Sequence, residues 1–408
     1  MILSGPLVAL QHRAFAVILS SLVVSQAGFW MSTVTFQWLI AKQSATNPLT
    51  LGILAFFNYL PLLLFSVPCG YLADRFDRTR IIVCGWLSIG AIAGLLAAGS
   101  KLDLLSVPLL YVGAFAIGTG LAVNAPASQA IVANSVPRNH LASAVSLQSA
   151  GQNLMRVAGP ALATPALTKL GATFVYALYS SASILAAAAI FRINVQRGQG
   201  DSTRAGLIHR IQVGWQHARE RRPALLILAS VAVVSTFGFS YTAMLPVFAY
   251  SVWKAGDSGF AGLLSAGGAG AVVGALASGL RARPLSLRAA ALHVVALGTC
   301  LIAFASSPSY VVSLALVAIL GGVAFATMTS LNTMLQSLVD DAKRGRVMSL
   351  FILAWGGMIP LGSLLIGAVS GFIPVPVVSS LFGTACSLYG VAIFIYARKP
   401  LATTEVAS

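Results

Sequence analysis

A chain of 408 residues in which 58% are hydrophobic and only 8% charged is not a soluble globular domain, where about a quarter of residues carry charge. The net charge of +16 does not make it a nucleic-acid binder either, because the basic residues sit in short loops between apolar runs and no basic face on a soluble domain gathers them. What remains is a polytopic membrane protein.

Windows of about 20 apolar residues predict twelve spans. In the first half they cover 14–40, 50–73, 81–99, 106–133, 141–168 and 171–191, and in the second 224–252, 258–280, 288–306, 309–335, 347–370 and 374–397. The first begins after a weakly basic His12-Arg13 and contains Ser25-Gln26-Ala27, a step that would suit a signal peptidase. Its apolar run continues through Ile40, so a retained first helix is expected.

Charge in the loops orients these spans. With the N-terminus inside, twenty of the 25 basic residues fall in inner loops and tails, and only Lys42, Lys101, Lys169 and Lys254 fall outside. That asymmetry places both termini in the cytoplasm, in a multi-pass protein of the inner membrane.

The one long connection divides the chain into a bundle over 1–191, a linker over 192–222 and a second bundle over 223–408. Within the linker, Leu207, Ile208, Ile211, Trp215 and Ala218 recur at helical spacing opposite Arg204, Arg210, Arg219, Arg221 and Arg222. This reads as a basic amphipathic helix on the inner leaflet, with a disordered basic linker as the alternative.

The fifth span carries Arg156, the one charge deep inside an apolar run. A cation at the bilayer centre costs roughly 2.5–3.5 kcal/mol on insertion scales, so binding or gating is its expected role, with a structural hydrogen bond as the alternative. Gly159-Pro160 follows and loosens the helix. The four cysteines stand singly, so neither a metal site nor a disulfide framework is indicated, and no cofactor is expected.

The halves repeat weakly. A shift of 203 lays Val136, Ser146 and Leu147 on Val339, Ser349 and Leu350, and one of 204 lays Gly70, Leu72 and Ala73 on Gly274, Leu276 and Ala277. Parallel six-helix repeats in a transporter leave such a trace.

Between spans two and three runs Gly70-Tyr71-Leu72-Ala73-Asp74-Arg75-Phe76-Asp77-Arg78-Thr79-Arg80, which resembles the G-x-L-A-D-R-x-x-R loop signature of the major facilitator superfamily. The resemblance implies an all-α fold of twelve transmembrane helices in two pseudo-symmetric six-helix bundles. It gives Gly70 a packing role and Asp74 a gating role, with Arg75, Arg78 and Arg80 as cationic partners. In the second half Ser278 and Gly279 replace the Asp-Arg pair, so the gate is expected to be asymmetric.

The stretch Asp340-Asp341-Ala342-Lys343-Arg344-Gly345-Arg346-Val347-Met348-Ser349 resembles that superfamily's drug and siderophore exporter branch, which includes enterobactin and macrolide exporters. Asp341 and Arg344 are spaced to pair at the start of span eleven, and Arg346 joins them as a gating candidate, with a solvated charge run as the alternative. Gly151, Gly159 and Pro160 resemble the family's antiporter motif, which implies that span five slides on span eight. Gly262, Gly267, Gly268, Gly270, Gly274 and Gly279 supply a small-residue surface there, although the motif's trailing Gly-Gly is absent.

Polar residues at mid-span depth are the candidate substrate site. With Arg156 they are Gln26, Asn58, Asn124, Gln152 and Asn153 in the first half and Tyr241, Asn332 and Trp355 in the second, with Gln37 and Gln129 at similar depth. Amides mixed with aromatic faces suit an amphipathic organic molecule, and helix-to-helix packing is the alternative for each amide.

All nine acidic residues lie in loops or tails, and Phe29 follows Gly28 where the branch often has an acid. Protons are a candidate coupling ion only through an edge carboxylate such as Asp74 or through His293, or an anion exchanging on Arg156 supplies its own coupling.

The reading is a secondary active transporter working by alternating access, exporting an amphipathic, anionic small molecule: a drug, siderophore or metabolite. Its partners are that substrate and the lipid bilayer, with no nucleic acid, and the chain acts as a monomer. The alternatives are an importer or facilitator of a small organic anion, or a non-transporting receptor or assembly protein. An enzyme is not expected, since neither paired carboxylates nor a His/Cys nucleophile system is visible.

Overall fold

A computed structural model describes residues 5–193, 215–216, 219, 221–279, 286–339 and 341–397. It divides into two compact units, 1–204 and 205–408. Among the described residues every regular element is a helix. Most of the linker, including the proposed amphipathic helix up to residue 214, lies outside the described residues.

In the first unit, α1 spans Arg13–Gln43, α2 Pro48–Arg75, α3 Arg78–Lys101 and α4 Val107–Asn134. Their starts follow from local chemistry. Asn47 accepts a hydrogen bond from the Leu49 N–H at 2.9 Å, and Pro48, which has no N–H to lose, opens α2. Along α1 the hydroxyls of Ser32, Thr33 and Thr35 donate back to carbonyls three or four residues earlier, which satisfies them inside an apolar helix. A short 3-10 turn, Gly5–Gln11, precedes α1, and the His12 and His140 rings hydrogen-bond at 2.9 Å, tying the start of α1 to the start of the fifth helix.

Among the described residues eleven helices are long and apolar enough to cross a membrane. One of them resolves the difference from the twelve expected spans. Leu141–Phe191 is 51 residues long, and at about 1.5 Å per residue it is more than twice the thickness of a hydrocarbon core of about 30 Å. It breaks at Gly171, whose φ of 80° and ψ of 172° belong to no helix and favour glycine. We therefore label 141–170 as α5 and 172–191 as α6.

In the second unit, α7 covers Arg222–Val252 with π-helical turns at Val234–Gly238 and Phe248–Val252. Then come α8 (Gly256–Gly279), α9 (Leu287–Ala305) and α10 (Tyr310–Leu338). The next span, α11, joins Asp341–Gly356 to Met358–Val369, and α12 is Val375–Tyr396. Ser286 caps α9 by accepting from the Ala289 N–H. Arg221 donates to the Leu338 carbonyl at the end of α10, and Arg288 donates to the Ala397 carbonyl after α12. Two arginines thus satisfy helix ends, where carbonyls lack intrahelical partners.

Each unit uses the same pairing. Helix α1 packs on α5, α2 on α4, and α3 on both α4 and α6; in the second unit α7 packs on α11, α8 on α10, and α9 on both α10 and α12. Three glycines of α8 allow close packing inside their own unit. A methyl group on Gly270 or Gly274 would overlap the backbone of Ala318 or Gly322, and one on Gly262 would overlap the Tyr310 hydroxyl. These three face α10 of their own unit, because backbones that close tolerate no Cβ.

Candidate functional site

Arg156 sits halfway along α5, one helical turn from Gln152 and one from Gly159-Pro160, so these residues share a face. Pro160 has no N–H to give to the carbonyl of Arg156, so both the side chain and the backbone of that residue bring polarity into the span. The guanidinium carbon lies 5.7 Å from the centroid of the Trp30 ring on α1, within cation–π range. Tyr59 of α2 lies within electrostatic reach of the same group. Arginine chemistry explains the choice, since a guanidinium is more weakly hydrated than an ammonium and can lay its plane on an aromatic face.

Gly159 makes this approach possible. A methyl group on it would come 2.5 Å from the Trp30 Cβ and 3.4 Å from the Ala27 carbonyl oxygen. The Gly-Pro step therefore seats a ring as well as loosening a helix. Trp30 also belongs to a stripe on α1. Gln26, Trp30, Thr33 and Gln37 follow one another at intervals of three and four residues, and all four are half-buried. Asn58 of α2 reaches this stripe, its Nδ2 donating to the Thr33 Oγ1 at 3.5 Å.

The remaining candidates are distributed otherwise. Asn124 is buried in the seam of α3 and α4, where its amide fills the space over Gly85 and neither amide atom has a hydrogen-bond partner among the described residues. Tyr241 is buried against Phe304, with ring centroids 5.9 Å apart. Asn332 accepts a hydrogen bond from Gln336 one turn along α10. Trp355 stands edge-on to Phe351 at 6.0 Å and tilted to Phe239 at 6.4 Å, and Phe239 meets Phe325. Gln129 is exposed, and the side chain of Asn153 lies outside the described residues.

At the α2–α3 junction the residue that works locally is Asp77. Its Oδ1 accepts from the Thr79 N–H at 2.9 Å and the Arg80 N–H at 3.2 Å, capping α3. Arg75 and Arg80 are exposed and Arg78 is half-buried. The side-chain positions of Gly70, Asp74, Asp341, Arg344 and Arg346 lie outside those described, although the helices α2 and α11 run through them. Among the described residues no cluster of three or more His, Cys, Asp or Glu could hold a metal, and the four cysteines are unbridged.

Trp30, Tyr59, Thr33 and Asp77 are the residues that sequence reasoning did not put forward. The stripe at 26, 30, 33 and 37 was the available signal for the two on α1. Tyr59 carries no such pattern.

Two six-helix units that repeat one pairing scheme, one of them holding a cation inside a span, make this a multi-pass membrane transporter of the major facilitator type and not an enzyme. Residues 4–408 match the profile of the transmembrane secretion effector family, and the chain belongs to that family of the superfamily. It is similar to the staphyloferrin A transporter of Staphylococcus aureus, with 24% identity over 91% of this chain and 93% of that protein. In fold it is similar to a bacterial homologue of the human lysosomal transporter Spinster, at a TM-score of 0.70 and 15% identity, covering 94% of this chain and 95% of that one. It is also similar to the nucleoside transporter NupG, at a TM-score of 0.69 and 14% identity over 94% of this chain and 98% of that one.

Proposed function

We propose that this transporter exports an amphipathic, anionic small molecule across a bacterial inner membrane by alternating access, and that the substrate's anion binds at Arg156. The carrying observation is the guanidinium held inside a span by the Trp30 face and near Tyr59, beside a half-buried polar stripe. Such a group repays its insertion cost when it meets an anion in a medium of low dielectric. Membership of the transmembrane secretion effector family supports the outward direction, and the similarity to the staphyloferrin A transporter supports a siderophore-like substrate.

In this reading both termini are cytoplasmic, the 192–222 linker tethers the halves at the inner leaflet, and the monomer is the working unit. Asp74, Arg75, Arg78 and Arg80, with Asp341, Arg344 and Arg346, close the inner side. The anion exchanging on Arg156, or a proton on Asp74, supplies the coupling. The alternative direction, import of a small organic anion, is an outcome of the same test.

Inside-out vesicles and proteoliposomes carrying the full chain are offered a panel of drugs, siderophores and organic anions. At least one anionic amphipathic member should accumulate in inside-out vesicles. Arg156→Gln should cut that flux on the order of a hundredfold, and Arg156→Lys less, because the point charge survives while the planar fork is lost. Flux unchanged in Arg156→Ala would remove Arg156 from the site, and no flux of any panel member would remove the reading itself.

A further inference from the structure

We infer that Trp30 is a positioning residue for Arg156, and that Gly159 acts in recognition by seating Trp30. The inference rests on the anion-binding reading of Arg156 given above. Three observations carry it. The guanidinium carbon stands 5.7 Å from the centroid of the indole, a cation–π contact that ties it to α1. The indole is fixed in turn by α5, since its Cβ occupies the space that a methyl group on Gly159 would take, at 2.5 Å. The indole Nε1 is buried and has no hydrogen-bond partner among the described residues, so the ring is placed by its face and its stem and not by its polar edge.

A buried N–H left unpaired costs about 1–3 kcal/mol, and a phenyl or leucyl group at position 30 would avoid that cost. Trp gives the strongest cation–π face of the aromatic residues. The indole is thus the side chain that favours the guanidinium over its own hydrogen bonding.

The arrangement makes α1 and α5 a single recognition unit. An anion that meets the guanidinium finds the group already oriented, with the indole beside it. Loss of the ring removes that cation–π contact from the guanidinium. The consequence is specific: affinity for an anion falls, while affinity for a neutral molecule of the same shape does not.

The test uses the purified full chain in lipid nanodiscs and calorimetric titration with salicylate and with salicylamide, its neutral counterpart. The wild type should prefer the carboxylate. Trp30→Leu should reduce that preference about tenfold, the size of one partly desolvated cation–π contact, with amide affinity unchanged. Trp30→Phe, which keeps an aromatic face, should restore most of it. Gly159→Ala should copy Trp30→Leu, because its methyl meets the Trp30 stem and moves the ring with it.

A preference that is lost in Arg156→Gln but kept in both Trp30→Leu and Gly159→Ala overturns the inference and leaves the anion site standing. No preference in the wild type overturns the anion site, and the inference with it. Should Trp30→Leu fail to fold, the Gly159→Ala and Trp30→Phe pair decides the question.

Discussion

The seam of α2 with α4 and the seam of α8 with α10 occupy the same place in the repeat and are built from different materials. In the first unit Gly118 faces the Asn58 carbonyl and the Pro61 ring, and side chains fill much of the contact. In the second unit Gly270 and Gly274 of α8 face the Ala318 and Gly322 backbone of α10, while Gly321 faces Gly267, so backbone meets backbone along the seam. The pairing has been kept and its content has diverged. The bundle with the charge in its span keeps polar side chains near that charge, and the other bundle has committed its equivalent helices to dense packing.

The contrast can be broken most severely at α8. Gly274→Val should abolish the folded second unit, because overpacking against backbone cannot be relieved by a rotamer change. Fluorescence-detected size exclusion should show aggregate in place of a monodisperse peak. Gly151 of α5 is a milder control, since a methyl there would meet only the Val23 side chain at 2.6 Å.

A smaller effect is expected at the α2–α3 junction. Asp77→Ala removes a cap and should cost about 1 kcal/mol, read as a drop of a few degrees in the midpoint of thermal unfolding, and Asp77→Ser should recover most of it. If Asp77→Ala leaves the midpoint unchanged, the carboxylate does not cap α3 in the membrane-embedded protein. Asp74→Asn should leave the midpoint unchanged, which separates the two acids of one motif.

The smallest effect belongs to Asn124. Replacing an unpartnered buried amide by an apolar group of similar size is close to neutral, so Asn124→Leu should retain both stability and flux. A fall in flux greater than about threefold would return Asn124 to the substrate site.

What could be read beforehand follows the range of each physical signal. The twelve spans and the two halves were legible because a bilayer demands about 20 apolar residues per crossing, and that demand is written locally. Arg156 was legible because a charge in such a run is expensive wherever its neighbours lie. Its neighbours were not, since Trp30 and Tyr59 come from other helices and reach it only through the packing of α1 and α2 on the rest of the bundle. The glycines of α8 signalled close approach, and the structure shows three of them against α10, a partner they do not name, because small residues record a distance and carry no address. At the α2–α3 junction the family pattern drew attention to Asp74, while the capping rule applied to Asp77, which directly precedes α3.

The break at Gly171 has a consequence for biogenesis. With hardly any loop between α5 and α6, the two cannot be threaded into the bilayer one after the other; they have to enter together as a closed hairpin with Lys169 at its tip. The Arg156 cation would travel in that hairpin, ahead of its meeting with Trp30 of α1.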